Sequence, residues 1–187
     1  MSKGNSNLFH GTIGTEVSGL TQPPESYSDR GIGIPKHIQE MIDKLPKEGD
    51  YITGLPSSFD IKDVSIMSKE TGVEFTKITI GDKSYLIRGH NGGTDIPKHL
   101  YYELIKPGGS FDFHTHPFDD DLVPSWRDKE LMHDMRVNCG QKHSTIATPN
   151  GRTVIYNENG VISSGTIPNT MNDEIRKMYL SLFGGDK

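Results

Sequence analysis

The 187-residue chain contains a single cysteine, Cys139, and no long apolar run. One cysteine excludes an intramolecular disulfide and any zinc site built from several cysteines. No apolar stretch approaches the roughly 20 residues of a membrane-spanning helix, and the N-terminus lacks the basic and then apolar layout of a signal peptide. We therefore expect no membrane span. If the protein is exported, it is expected to travel as part of a longer chain or by a route that needs no such peptide.

Positive charge is also in short supply. Lysine and arginine together number 20 against 25 aspartates and glutamates, which gives a formal net charge of −5. This balance makes nucleic acid an improbable partner, because binding that depends on phosphate contacts needs a basic surface. The length suits one domain with a sizeable core. We predict that domain over residues 31–187, preceded by a flexible arm or linker over residues 1–30 that is rich in Gly, Ser, Thr and Pro.

Helical and strand patterns alternate along the rest of the chain. Apolar residues at helical spacing predict helices over residues 36–45, 60–70, 96–105, 126–135 and 169–183. Runs of β-branched residues around short turns predict hairpins that pair 73–80 with 83–88, and 144–148 with 152–156. A further strand over 110–116 follows the turn at Gly108 and Gly109. The pattern therefore indicates a domain of mixed helix and strand.

The strand over 110–116 carries the most informative residues of the sequence. Side chains alternate along a strand, so His114 and His116 are expected on the same side, and Pro117 ends the strand. Ser125 and Asp128 then open the helix that follows, and Asp128 in the first turn can face both imidazoles. Two histidines and a carboxylate, with one position left for water, are the composition of a catalytic zinc site. The alternative for Ser125 and Asp128 is a helix cap with a first-turn acid.

The segment His114-Thr-His116-Pro117, a short loop and Ser125-x-x-Asp128 resembles the signature of the JAMM (JAB/MPN) metallopeptidases. Its loop of seven residues is one longer than is usual in that family. The resemblance implies zinc bound by His114, His116 and Asp128, and a Ser125 hydroxyl that helps to hold the oxygen of the tetrahedral intermediate. It also implies an α/β fold with a curved mixed sheet flanked by helices, layered as in cytidine deaminases. The likeness extends over about residues 62–161.

The resemblance further implies an upstream glutamate that is not a ligand and that accepts a proton from the attacking water. Glu74 fits best, because it starts a strand directly after a predicted helix. Glu48 and Glu70 are the next candidates, whereas Glu40 and Glu103 belong to helix faces. The alternative for Glu74 is an exposed acid on an edge strand.

The function implied by the resemblance is zinc-dependent hydrolysis of a peptide or isopeptide bond in a protein or peptide substrate, including ubiquitin-like ones. The layout is similar to JAB-like domains at the C-terminal ends of bacterial polymorphic toxins and of phage-associated proteins. It implies an effector that is secreted within a larger toxin, acts in a target cytoplasm and has an immunity protein as partner, or else a cytoplasmic enzyme. The alternatives are a metal-dependent toxin domain acting on a non-peptide bond, such as one in nucleic acid, and a catalytically silent MPN-type binding module.

Two other features of the sequence carry less information. The run Asp119-Asp120-Asp121 lacks the alternating oxygen ligands and the glycine of a calcium-binding loop, which predicts a solvated acidic loop. Cys139 has no base and orienting residue in a recognisable order, so we do not expect it to act as a nucleophile.

Overall fold

The computed structural model describes residues 33–55 and 59–167. The predicted arm over residues 1–30 and the predicted helix over 169–183 lie outside the described residues. Within the described part, four helices and seven strands form. None of these helices has the length and apolar character needed to cross a membrane.

The helices and strands predicted within the described residues appear in the predicted order, with ends shifted by a few residues. The helices are α1 (Lys36–Asp43), α2 (Ile61–Thr71), α3 (Lys98–Leu104) and α4 (Trp126–Cys139). The strands are β1 (Tyr51–Thr53), β2 (Phe75–Ile80), β3 (Lys83–Arg88), β4 (Gly109–Thr115), β5 (Ser144–Ala147), β6 (Arg152–Asn157) and β7 (Gly160–Thr166). Both predicted hairpins are confirmed, because β2 pairs with β3 and β5 pairs with β6, each antiparallel.

The strands form one open sheet in the order β1-β3-β2-β4-β5-β6-β7. All neighbours are antiparallel except β4 and β5, which run parallel and are joined by a crossover that contains α4. Residues of α1 and α2 belong to one buried apolar cluster with the sheet, and residues of α3 and α4 belong to a second one. The predicted α/β class, a mixed sheet with helices packed on it, is confirmed, and β4 lies in the centre of the sheet.

A bulge in β4 determines which side chains of this strand lie on the same face of the sheet as His114. Opposite β2, Lys77 faces Phe113 and Ile78 faces Phe111, so Asp112 has no partner in the register. Because one extra residue shifts the alternation of side chains, Phe111 joins the α3–α4 cluster and Phe113 joins the α1–α2 cluster. The Phe111 ring therefore comes to stack on His114, with centroids 5.7 Å apart. Perfect alternation would have placed Phe111 and His114 on opposite faces.

The two glycines at the start of β4, Gly108 and Gly109, are needed for different reasons. A Cβ at Gly109 would overlap the backbone carbonyl of Leu104 at the end of α3, whereas Gly108 has open space but a φ of 94°. We expect Gly109→Ala to lower the free energy of unfolding by about 3 kcal/mol. Gly108→Ala should cost only the strain of positive φ, about 1 kcal/mol. Urea denaturation of both variants measures the difference, and equal costs would contradict the steric argument.

Candidate metal centre

Two buried imidazoles meet at the C-terminal end of β4. His114 is 1% exposed and His116 is 4% exposed, and their Nε2 atoms lie 3.1 Å apart. The prediction that both rings project from the same side of the strand is confirmed. Two zinc–nitrogen bonds of about 2.1 Å at a tetrahedral angle would separate the nitrogens by about 3.4 Å. The observed separation therefore fits two ligands of one cation.

The outer nitrogens of both rings have polar neighbours. The Nδ1 of His116 lies 2.8 Å from the carbonyl oxygen of Asp121 and 3.3 Å from its carboxylate. Since both of these atoms only accept, Nδ1 carries the proton, and in the neutral ring the Nε2 lone pair points inward. The Nδ1 of His114 lies 3.4 Å from the Tyr156 hydroxyl. Histidine ligands of metals are commonly oriented by such outer contacts.

Glu74 lies beside this pair. It is 8% exposed and immediately precedes β2, and its Oε1 is 3.8 Å from the Nε2 of His116. Its backbone is fixed by hydrogen bonds from its N–H to the carbonyl of His90 and from the N–H of Gly89 to its own carbonyl. Glu74, His114 and His116 thus form a buried group that could hold a metal ion, with ligand atoms within 4.8 Å of one another. The alternative of an exposed acid on an edge strand is wrong for Glu74.

The Asp128 carboxylate lies next to His114. Its Oδ1 lies 3.5 Å from the Nε2 of His114, although Asp128 is not a member of the 4.8 Å group. Its Oδ2 accepts a hydrogen bond from the N–H of Ser125 at 2.7 Å, and its own N–H donates to the Ser125 hydroxyl at 3.2 Å. The capping box and the approach of Asp128 to His114 therefore occur together, and the longer loop does not prevent either. The Ser125 hydroxyl keeps its own proton available to donate.

The competing glutamates lie elsewhere. Glu48 belongs to a separate group at the surface with His90 and Asp95. In that group the N–H of Gly92 donates to the Nδ1 of His90, so the neutral ring carries its proton on Nε2 and offers a cation no free lone pair. Of the other described glutamates considered, Glu70 lies in the last turn of α2, and Glu103 and Glu40 are exposed on α3 and α1.

Burial and charge shift the pKa values in the metal-free protein. Burial raises the pKa of Glu74 to about 7, which the His116 charge opposes and the charges of Asp128 and Asp121 support. Burial lowers the pKa of His114 to about 4. Burial also disfavours charged His116, but its hydrogen bond to Asp121 and the charges of Glu74 and Asp121 outweigh this and raise its pKa. The metal-free centre therefore retains protons near neutral pH that a bound cation would displace.

The raised pKa of Glu74 predicts a pH-dependent stability difference. Well below pH 4.5 the carboxyl is protonated in both the folded and the unfolded chain. Between pH 4.5 and about 7 the unfolded chain has released the proton and the folded chain keeps it, and above about 7 both are ionised. Stability is therefore lost over this range by about 3 kcal/mol, from 1.36 kcal/mol for each pKa unit. In the metal-free protein, we expect the free energy of unfolding of Glu74→Gln to rise relative to that of wild type by about 3 kcal/mol between pH 4.5 and 8. Urea titrations at several pH values measure it, and a constant difference would contradict it.

Sequence reasoning missed two neighbours of the histidines. The Asp121 side chain is 50% exposed, which agrees with the expected solvated loop, but its contact with His116 was not predicted. Tyr156 on β6 is fully buried, and its ring packs edge-on against His114. The short distance along the chain from His116 to Asp121 was a usable signal. No comparable signal existed for Tyr156, which lies 42 residues from His114.

No protein-family model, curated protein or solved structure matches the chain. The motif residues and the geometry of the centre are therefore the features that bear on its function.

Proposed function

We propose that the chain is a zinc-dependent hydrolase of the JAMM type that cleaves a peptide or isopeptide bond. The observation that supports this most is the buried histidine pair with a carboxylate at each side. Glu74 lies 3.8 Å from His116 and Asp128 lies 3.5 Å from His114. Imidazole nitrogens with a carboxylate favour zinc over calcium and magnesium, which prefer oxygen ligands.

In this proposal His114, His116 and Asp128 hold the zinc. When bound there, the ion would act as a Lewis acid, which lowers the pKa of water towards neutrality and polarises a carbonyl. Asp128 suits the role of ligand because Oδ2 is occupied by the N–H of Ser125, which leaves Oδ1 directed towards His114. The helix cap thereby fixes the carboxylate before any ion binds, and this reduces the entropy lost on binding.

Glu74 carries the proton in the reaction. It accepts a proton from the attacking water and returns it to the departing nitrogen of the amide. Its pKa of about 7 in the metal-free protein follows from burial, and a nearby cation would lower it so that the carboxylate is ready to accept. The Ser125 hydroxyl, whose oxygen already accepts from Asp128, donates its proton to the carbonyl oxygen as negative charge develops there.

The biological setting belongs to the same proposal. The motif layout resembles JAB-like domains of bacterial toxins, so we propose an effector domain carried by a larger protein. Its substrate would be a protein or peptide, including ubiquitin-like proteins, and its partner in the producing cell an immunity protein. The net charge of −5 supports a protein substrate over nucleic acid.

A combined metal and cleavage assay tests the proposal. We expect one zinc per purified chain by elemental analysis and cleavage of peptide or isopeptide substrates, detected by mass spectrometry. A chelator should stop cleavage, and added zinc should restore it. Phosphodiester cleavage by the same sample without amide cleavage would overturn the peptidase assignment. Bound zinc without any hydrolysis across a broad substrate panel would instead indicate a silent binding module.

A further inference from the structure

We propose that Asp121 is a positioning residue of the metal centre, and that the loop over residues 117–124 acts as a strut that holds His116 in place. The inference deepens the proposed function, because it assumes that His116 is a zinc ligand. It assigns a role to an acidic run that the sequence alone predicts to be merely solvated.

The first support is the geometry at His116. Its Nδ1 has two acceptors from the same residue, the Asp121 carbonyl at 2.8 Å and the Asp121 carboxylate at 3.3 Å. The carbonyl alone is sufficient to keep the proton on Nδ1. The carboxylate adds a negative charge on the far side of the ring, which increases the electron density that Nε2 offers to a cation.

The second support is the attachment of the loop to the rest of the protein. The Asp119 carboxylate accepts a hydrogen bond from the N–H of Asn150 at 2.7 Å, in the turn between β5 and β6. Leu122 packs against the α3–α4 cluster, and Pro124 is buried. The loop is thus fixed on both sides of Asp121. Asp120 and Asp121 are both exposed, but of these two only Asp121 contacts His116. The three aspartates therefore have three different environments.

The matched variants Asp121→Ala, Asp121→Asn and Asp120→Asn test the role of Asp121. Zinc affinity is measured by competition with a chelator of known affinity. Loss of an outer-shell partner typically weakens metal binding by about 10- to 100-fold, so we expect Asp121→Ala to raise the zinc Kd at least tenfold. Asp121→Asn keeps an acceptor oxygen but loses the charge, and should lie between that variant and wild type. Asp120→Asn loses the same charge from the same loop and should stay within about twofold of wild type.

A second readout separates positioning from general stability and does not need the metal. In the metal-free protein, the NMR resonance of the His116 Nδ1 proton should move in Asp121→Ala, while the His114 ring signals keep their positions. A residue that only stabilises the fold would lower the melting temperature and leave this resonance in place. An unchanged His116 resonance, or equal zinc affinities in Asp121→Ala and Asp120→Asn, would overturn the role of Asp121.

Asp119→Ala tests the strut itself, because it leaves Asp121 intact and removes the bond to Asn150. We expect weaker zinc binding and a shifted His116 resonance in this variant. Wild-type values for both would contradict the proposal that the loop over residues 117–124 holds His116 in place. If wild-type protein bound no zinc at all, the proposed function would fail, while the resonance measurements would still decide whether the loop positions His116. The two failures are therefore distinguishable.

Discussion

Glu74→Gln is expected to lower the rate of amide hydrolysis by about three orders of magnitude while the protein keeps its zinc. Glutamine has nearly the shape of glutamate, so the packing at this buried position is preserved, but its amide cannot accept and return the proton. The ligands proposed for the ion are His114, His116 and Asp128, and none of them changes. The measurements are kcat on a cleaved peptide and the zinc content of the same sample.

Two variants make this test specific. Glu48→Gln changes a surface glutamate in the separate group with His90 and Asp95, and should leave both activity and zinc content unchanged. Asp128→Asn should instead lose zinc, because it weakens a ligand. The opposite result, in which Glu74→Gln loses zinc and Asp128→Asn retains it, would exchange the roles of the two carboxylates. That exchange is the alternative to test, since Glu74 and not Asp128 belongs with the histidines to the group whose ligand atoms all lie within 4.8 Å of one another.

His114→Ala and His116→Ala are each expected to raise the zinc Kd by about two orders of magnitude or more. The binding free energy of a protein zinc site is on the order of 10 kcal/mol, and one of three protein ligands supplies roughly a third of it. Titration calorimetry or chelator competition measures the change. Circular dichroism checks the fold, because both side chains are buried.

His90→Ala is the matched control for these variants. His90 also lies within ligand distance of two acidic residues, but its Nδ1 accepts from the N–H of Gly92, and the group is at the surface. We expect it to leave the zinc Kd unchanged. A loss of zinc in His90→Ala together with retention in His114→Ala would place the ion at the surface group and contradict the assignment.

Much of this centre could be predicted from sequence because its signals are local. The spacing of His114 and His116 determines that both rings share a side once the strand forms. Ser125 and Asp128 identify a helix start by their spacing alone, and the same two residues then direct a carboxylate oxygen towards His114. Glu74 could be favoured among several glutamates because it follows a helix and begins a hairpin.

The rest depends on contacts between residues far apart in the chain. Tyr156 reaches His114 only because β5 pairs with β4 in parallel and β6 then follows β5. The bulge at Asp112 moves Phe111 onto His114, and no pattern in the sequence distinguishes it from regular alternation. Asp121 is exposed, as expected of a solvated loop, but its contact with His116 was not foreseen. It is one of three adjacent aspartates, and composition cannot tell which of them turns back to the strand.

The crossover between β4 and β5 has one more consequence. Glu74 and Asp128 are 54 positions apart in the sequence. Glu74 reaches His116, and Asp128 reaches His114, only after β2, β4 and α4 have taken their final places. An unfolded chain offers a metal little more than an isolated pair of imidazoles, so the ion has no organised receptor during synthesis. We therefore expect the protein to fold first and to bind its metal only afterwards.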